Sequence, residues 1–126
     1  MSYQLDVSIP GLPPINSATA MHWRKRAKLR SHWKREVWYA VTGKKPPTPL
    51  QRSKVVVTRN SAARPDPDNL TDTSKFLLDA LVELGIIEDD SNEHIELEVL
   101  WEFAQQGKGF VRIQVDEVEG GSCGRD

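Results

Sequence analysis

Residues 66–90 read DPDNLTDTSKFLLDALVELGIIEDD, and this stretch encodes a helix with a defined start and stop, flanked by acidic residues at both ends. Apolar side chains recur at helical spacing, which is typical of an amphipathic helix. The pattern predicts a helix over residues 68–84, with Gly85 as its C-terminal stop. The predicted buried face consists of four leucines: Leu70, Leu77, Leu81 and Leu84.

On the N-terminal side of this helix, the sequence predicts a strand, a long helix and a second strand. Apolar residues alternate with polar ones at Tyr3, Leu5, Val7 and Ile9, which indicates a half-buried strand. A proline-rich segment, residues 10–17, ends it. The following helix ends near Gly43, and residues 54–59 form the second strand. The apolar stripe of that helix comprises Leu29, Trp33, Val37, Ala40 and Val41.

On the C-terminal side, two further strands are predicted. Residues 95–103 alternate apolar and acidic side chains, residues 105–109 form a turn, and residues 111–115 make the return strand of a hairpin. The order β-α-β-α-β-β predicts an α/β fold of the mixed α+β kind, a small mixed sheet covered by two helices. Residues 1–118 are expected to form one domain, and residues 119–126 a disordered tail.

The charge of the chain is divided between its halves. The net charge is −1, but residues 1–65 carry thirteen Lys/Arg and two Asp/Glu, whereas residues 66–126 carry four Lys/Arg and sixteen Asp/Glu. A basic half suits a polyanion and an acidic half suits metal ions. The alternative is that the two halves attract each other across the surface.

Composition and residue spacing also restrict the cellular compartment of the protein and the kinds of metal ion that it could bind. Cys123 is the single cysteine, so a disulfide within the chain is excluded. No signal peptide or membrane span is recognisable, which predicts a soluble, cytoplasmic protein. The three histidines and Cys123 lack zinc-ligand spacing. A calcium loop fits poorly because Thr71 stands where that loop needs glycine, and Leu77 where it needs glutamate.

Two acidic clusters bracket the predicted helix, at residues 64–69 and 88–91. Carboxylates that converge from both ends of a short helix would repel one another without a cation between them, and Mg²⁺ prefers such oxygen ligands. A charged stripe also follows the helix, within roughly 60° at 100° per residue. It comprises Asp68, Asp72, Lys75 and Asp79. The alternative is an ordinary N-cap at one end and a polar turn at the other.

A dense basic segment, residues 22–30, leads into the first helix. Such a segment would bind DNA phosphates in a salt-dependent manner without reading sequence, although it would also suit a solvated helix face. Trp33 is predicted to be core. Trp23 is also predicted to pack in the core, with stacking on an unpaired base as the alternative. The candidate DNA-binding residues are Arg24, Lys25, Arg26, Lys28, Arg30 and, beside the first acidic cluster, Arg64.

Four motifs together resemble the RusA family of Holliday-junction resolvases, from the first strand to the last. They are Pro13-Pro14-Ile15-Asn16, Asp66-Pro67-Asp68-Asn69-Leu70, Lys75-Phe76-Leu77-Leu78-Asp79-Ala80-Leu81 and Gly85-Ile86-Ile87-Glu88-Asp89-Asp90. The resemblance implies a homodimeric, Mg²⁺-dependent enzyme (Mn²⁺ being a possible substitute) that nicks four-way branched DNA symmetrically.

Residue by residue, the resemblance implies metal-binding catalytic aspartates at Asp66, Asp68 and Asp90, with a catalytic lysine at Lys75. The chain departs from the family pattern in one place: three residues are inserted before Lys75, and Asp72 stands where the family has its lysine. The expectation is a Mg²⁺-dependent endodeoxyribonuclease that resolves Holliday junctions in recombination and repair. The alternative is a non-catalytic protein that binds branched DNA and whose acidic clusters are structural caps.

Overall fold

The computed structural model describes residues 3–13, 22–89, 91 and 93–118, with only the backbone described for Asp68. The elements are β1 (Gln4–Pro10), α1 (Trp23–Val41), β2 (Ser53–Ser61), α2 (Pro67–Leu70), a 3₁₀ turn (Thr71–Ser74), α3 (Lys75–Glu83), β3 (Ile95–Phe103) and β4 (Phe110–Glu117). The predicted mixed sheet with helices is confirmed. The tail predicted to be disordered lies outside the described residues.

The four strands form one sheet in the order β1-β4-β2-β3. β4 is antiparallel to both β1 and β2, whereas β2 and β3 are parallel. The predicted hairpin between β3 and β4 is therefore wrong. β4 takes a central position between β1 and β2, and its Val111, Ile113 and Val115 are fully buried. β3 carries glutamates at alternate positions and suits an edge, where charged side chains discourage pairing with another chain.

The core lies between one face of the sheet and the helices α1 and α3. Leu5, Val7 and Ile9 of β1 point into it, as the alternation predicted. The opposite face of the sheet is charged; there Arg112 donates to Asp6 at 2.8 Å. This hydrogen bond lowers the pKa of the Asp6 carboxyl and raises the pKa of Arg112.

α1 is a highly charged helix with a narrow apolar stripe. Its N-terminus is capped by His22, whose Nδ1 accepts from the backbone N–H of Arg24 at 3.2 Å. Trp33, Val37 and Val41 are buried, which confirms the predicted core stripe. Trp23 is 61% exposed, so the prediction that it packs in the core is wrong. No helix in the described part of the chain is long and apolar enough to span a bilayer.

The helix predicted over residues 68–84 is interrupted rather than continuous. One turn of α2 is followed by the 3₁₀ turn, whose Ser74 hydroxyl donates to the carbonyl of Thr71 at 2.9 Å. Serine and threonine hydroxyls compete for backbone groups in this way and weaken regular α-helix. The predicted stop is confirmed: Gly85 has φ +80°, and Ile86 N–H donates to the carbonyl of Leu81 at 3.0 Å, as in a Schellman motif.

Candidate functional site

Asp66 lies at the N-cap position of α2, immediately after the loop that leaves β2. Its backbone carbonyl accepts from the N–H groups of Asn69 and Leu70 at 2.9 and 2.8 Å. Its carboxylate makes no capping hydrogen bond, and the residue is exposed. Ordinary capping by the side chain therefore does not account for this aspartate.

The structure describes less of the other two predicted metal ligands, Asp68 and Asp90. Asp68 lies within α2, and its side chain is not among the described ones; Asp90 lies outside the described residues. The chain leading to Asp90 is firmly held, since Leu50 N–H donates to Ile86 O at 2.9 Å and Glu88 N–H donates to Leu50 O at 3.0 Å. Within the described residues, no three His, Cys, Asp or Glu side chains converge on a common point. Convergence of the predicted trio stays a prediction.

Lys75 begins α3, directly after the 3₁₀ turn. Its Nζ lies 3.1 Å from Oδ1 of Asp72, one turn earlier, and about half of its side chain is exposed. Asp72 is 13% exposed, so its carboxylate holds the ammonium group against the surface of the protein. The two residues are neighbours on the predicted charged stripe, and they pair even though the segment between them is 3₁₀ rather than α-helical.

A groove of about 630 Å³ separates α1 from α3 and brings the basic segment to Lys75. Arg26 and Arg30 line one wall, and Lys75 and Asp79 line the other. The two walls are more than forty residues apart in sequence. All the predicted DNA-binding cations of α1 are exposed: Arg24, Lys25, Arg26, Lys28 and Arg30. One continuous surface therefore carries both the basic segment and the predicted catalytic lysine.

The two helices are tied together at the far end of this groove by Glu83. Its carboxylate accepts from Arg30 Nε at 3.1 Å, and Lys34 Nζ lies 3.2 Å from the other oxygen. Burial alone would raise the pKa of Glu83, but the hydrogen bonds from Lys34 and Arg30 outweigh it and hold the pKa below its usual value. The ion pair with Glu83 restrains the side chain of Arg30, which also lines the groove.

Arg59 is a buried cation that the sequence analysis did not single out. It is 8% exposed, and its Nη1 donates to the carbonyl of Pro13 at 2.6 Å and to Oγ1 of Thr73 at 3.4 Å. It thereby joins the start of the proline motif to the 3₁₀ turn before Lys75. Burial lowers the pKa of Arg59, although arginine stays protonated. Strand alternation from Val55 and Val57 was the available signal, since it places residue 59 on the same inward face.

His94 supports the acidic turn that precedes β3. Its Nδ1 lies 2.9 Å from the hydroxyl of Ser91, and Glu88 and Asp89 lie 3.9 Å from its ring nitrogens. The ring contacts residues on both sides of Asp90 in sequence, so it helps to define the path of this turn.

Comparison with known proteins leaves the family open. A scan against protein-family models gave no match, and a search of curated proteins gave none either. The resemblance to the RusA resolvases thus depends on the motifs and on their spacing.

Proposed function

We propose that this protein is a Mg²⁺-dependent, structure-selective endodeoxyribonuclease that resolves Holliday junctions in the cytoplasm. The observation that carries the proposal is the groove between α1 and α3, where Arg26 and Arg30 face Lys75. Such a groove suits a phosphodiester backbone, because its cations Arg26, Arg30 and Lys75 outnumber its one carboxylate, Asp79. Lys75 also lies close in sequence to the aspartate-bearing segment.

Asp66, Asp68 and Asp90 would hold the metal ion. Asp66 fits this role because its carboxylate is exposed and makes no cap, and carboxylate oxygens are the ligands that Mg²⁺ and Mn²⁺ prefer. When bound, the ion would supply Lewis acidity and an activated water for phosphodiester hydrolysis. Asp68 and Asp90 are included as metal ligands because of the resemblance to the RusA motifs.

Lys75 would stabilise the negative charge that develops on the scissile phosphate. Its ammonium group is oriented by Asp72 yet remains about half exposed, so a phosphate can approach it. The 3₁₀ turn lies between the Asp-Asn pair and Lys75, the segment in which the chain is longer than the family pattern, and Lys75 begins α3 directly after it.

A junction must be cut on two symmetry-related strands, and one chain of this size carries a single site. We therefore include a two-fold homodimer in the proposal. The competing candidate is a non-catalytic protein that binds branched DNA. A synthetic four-way junction separates the two: paired cuts with Mg²⁺ support the nuclease, whereas tight binding without cutting in Mg²⁺ or Mn²⁺ supports the alternative.

A further inference from the structure

A second groove, of about 310 Å³, lies at the end of the sheet where β2 leads towards α2. One wall is the loop between β2 and α2, residues 62–65, and the other is the loop between β3 and β4, residues 104–109. Gly11 N–H donates to the carbonyl of Gly109 at 3.1 Å, which fixes the second loop against the end of β1. The groove is distinct from the one between α1 and α3.

The charges that line this groove are all positive. Its ionisable lining residues are Arg59 and Arg64, and its remaining polar side chains are Ser61, Gln105 and Gln106. No carboxylate of the described residues lines it. Both arginines come from the basic half of the chain, and the acidic half contributes only uncharged lining residues, Gln105, Gln106, Gly107 and Gly109.

Arg59 gives this groove a buried cation without a carboxylate partner among the described residues. More than nine-tenths of the residue is buried, its Nη1 is used by Pro13 and Thr73, and its Nε has no hydrogen-bond partner in the described part of the chain. Buried charges are normally paired, since an unpaired ion loses its hydration without compensation. An anion in the groove would supply that compensation.

Arg64 lines the groove, and its guanidinium group contacts an aromatic ring. Its guanidinium lies 5.6 Å from the ring centroid of Trp101. The indole Nε1 in turn donates to Ser61 Oγ at 3.0 Å, and that hydroxyl donates to the carbonyl of Ala63 at 2.8 Å. The aromatic ring and its hydrogen bonds therefore restrict where this exposed arginine can point.

We propose that this groove is a binding site for a phosphate oxyanion, with Arg64 and Arg59 as its cationic donors. Planar guanidinium groups match phosphate oxygens in geometry as well as charge. Pro65 joins the groove directly to Asp66, so in the proposed nuclease the ligand is a backbone phosphate that flanks the one being cut. This last identification rests on the proposed function, whereas the oxyanion site itself does not.

The first test uses inorganic phosphate as the probe. We expect the melting temperature to rise by a few degrees, saturably, in sodium phosphate relative to sodium chloride of equal ionic strength. Arg64→Gln should abolish the rise. Arg52→Gln is the matched control, because it removes an exposed arginine at the opposite end of β2 and should leave the rise intact. A rise that survives Arg64→Gln, or no rise in the unaltered protein, would overturn the oxyanion site.

Arg59→Gln and Arg59→Lys examine the buried cation. We expect glutamine to abolish the phosphate-dependent rise and lysine to restore part of it, because lysine keeps the charge. A full rise in Arg59→Gln would contradict its role. Should both variants fail to fold, the exposed Arg64→Gln variant still decides the site.

The second test identifies the source of the phosphate. A fluorescent four-way junction is titrated in Ca²⁺, so that binding is measured without cutting. Arg64→Gln should weaken binding and reduce the slope of log Kd against log salt by about 1, and Arg52→Gln should change neither. A phosphate-dependent melting shift with an unchanged DNA slope would refute the DNA assignment. If the unaltered protein shows no nuclease activity, the proposed function is refuted, but the oxyanion site is not.

Discussion

Lys75 is the residue on which the proposed chemistry depends most visibly. In the structure it is paired with Asp72 at 3.1 Å, an arrangement that a purely structural surface pair would also show, and such pairs contribute only a few tenths of a kcal/mol. The two roles predict different kinetics, because a structural pair affects stability alone.

We expect Lys75→Ala to lower single-turnover cleavage of a four-way junction by roughly a hundredfold or more, about 3 kcal/mol in the barrier. Junction affinity should fall only slightly, because the cations of α1 still contact DNA. Lys54→Ala is the matched control: Lys54 also pairs with carboxylates, Glu96 and Glu98, but lies on the sheet away from the groove. Near-normal cleavage by Lys75→Ala would mean that the inserted residues have moved the catalytic role elsewhere.

The predicted metal ligands are tested by isosteric removal of charge. Asp68→Asn or Asp90→Asn should abolish cutting while junction binding is unchanged or tighter, since in the proposed site each substitution would remove a negative charge close to the bound phosphate. Asp6→Asn serves as the control, because Asp6 pairs with Arg112 on the opposite face of the sheet. If the Asp68 and Asp90 variants cut normally, or lose fold and binding together, these aspartates are structural.

At the scale of the elements, the 3₁₀ turn connects the aspartate-bearing turn of α2 with the lysine-bearing α3. Thr73 and Ser74 are buried, so the turn is packed against the molecule rather than looped out. Thr73 Oγ1 also accepts from Arg59, which makes the turn one wall of the pocket around that buried cation. The position of Lys75 is therefore coupled to Arg59.

Thr73→Val should destabilise the protein by about 1 kcal/mol in chemical denaturation, because the nearly isosteric side chain removes an acceptor from a buried guanidinium. Thr73→Ser keeps the hydroxyl, and we expect it to retain the larger part of the hydrogen-bond contribution. Equal destabilisation by valine and serine would show that packing, rather than the hydrogen bond to Arg59, holds the turn.

The Glu83 bridge between α1 and α3 gives stability a specific pH dependence. The pKa of Glu83 is lowered in the folded state, so the bridge stabilises the protein above the unfolded pKa and this contribution is lost as pH falls through the folded pKa. Glu83→Gln should cost less than about 1 kcal/mol at pH 7, and the difference should begin to shrink below the unfolded pKa of about 4.3 and vanish only below the lower folded-state pKa. Denaturation of both proteins from pH 7 to pH 3 checks this, and a difference that does not change with pH would contradict it.

Local patterns predicted where the helices and strands lie, but neither the break in the helix over residues 68–84 nor how the strands pair. The alternation in β1, the stripe of α1 and the glycine stop after α3 each depend on a few neighbouring residues, and all three are confirmed. The predicted β3–β4 hairpin was wrong: adjacency in sequence favoured it, whereas β4 pairs with β1 and β2 instead. Pairing is decided by burial across the whole sheet, which local periodicity does not encode.

The candidate site was predictable in part for the same reason. Periodicity alone placed Lys75 beside Asp72. The approach of Arg26 and Arg30 to Lys75 depends on how α1 packs against α3, and the burial of Arg59 depends on the 3₁₀ turn above β2. Both are tertiary features. The one local signal for the burial of Arg59 was its position two residues after Val57, which places it on the inward face of the strand.

For the whole molecule, the division of charge now has a spatial meaning. The basic half of the chain supplies α1, and the acidic half supplies α3 and the segments around it, so the groove between α1 and α3 lies where the two halves meet. Mutual attraction accounts for part of this, as Glu83 with Arg30 and Lys34 illustrates. The exposed cations at the N-terminal end of α1 extend beyond that bridge and are the part of the surface suited to a polyanion.

The most direct measurement of the central claim is cleavage of a synthetic four-way junction and of a matched linear duplex by the purified protein. We predict paired, symmetric nicks in the junction with Mg²⁺ or Mn²⁺, little cutting of the duplex, binding without cutting in Ca²⁺, and no cutting in chelator. Robust cutting in chelator would contradict the metal assignment. Tight junction binding with no cutting in either Mg²⁺ or Mn²⁺ would contradict the nuclease itself.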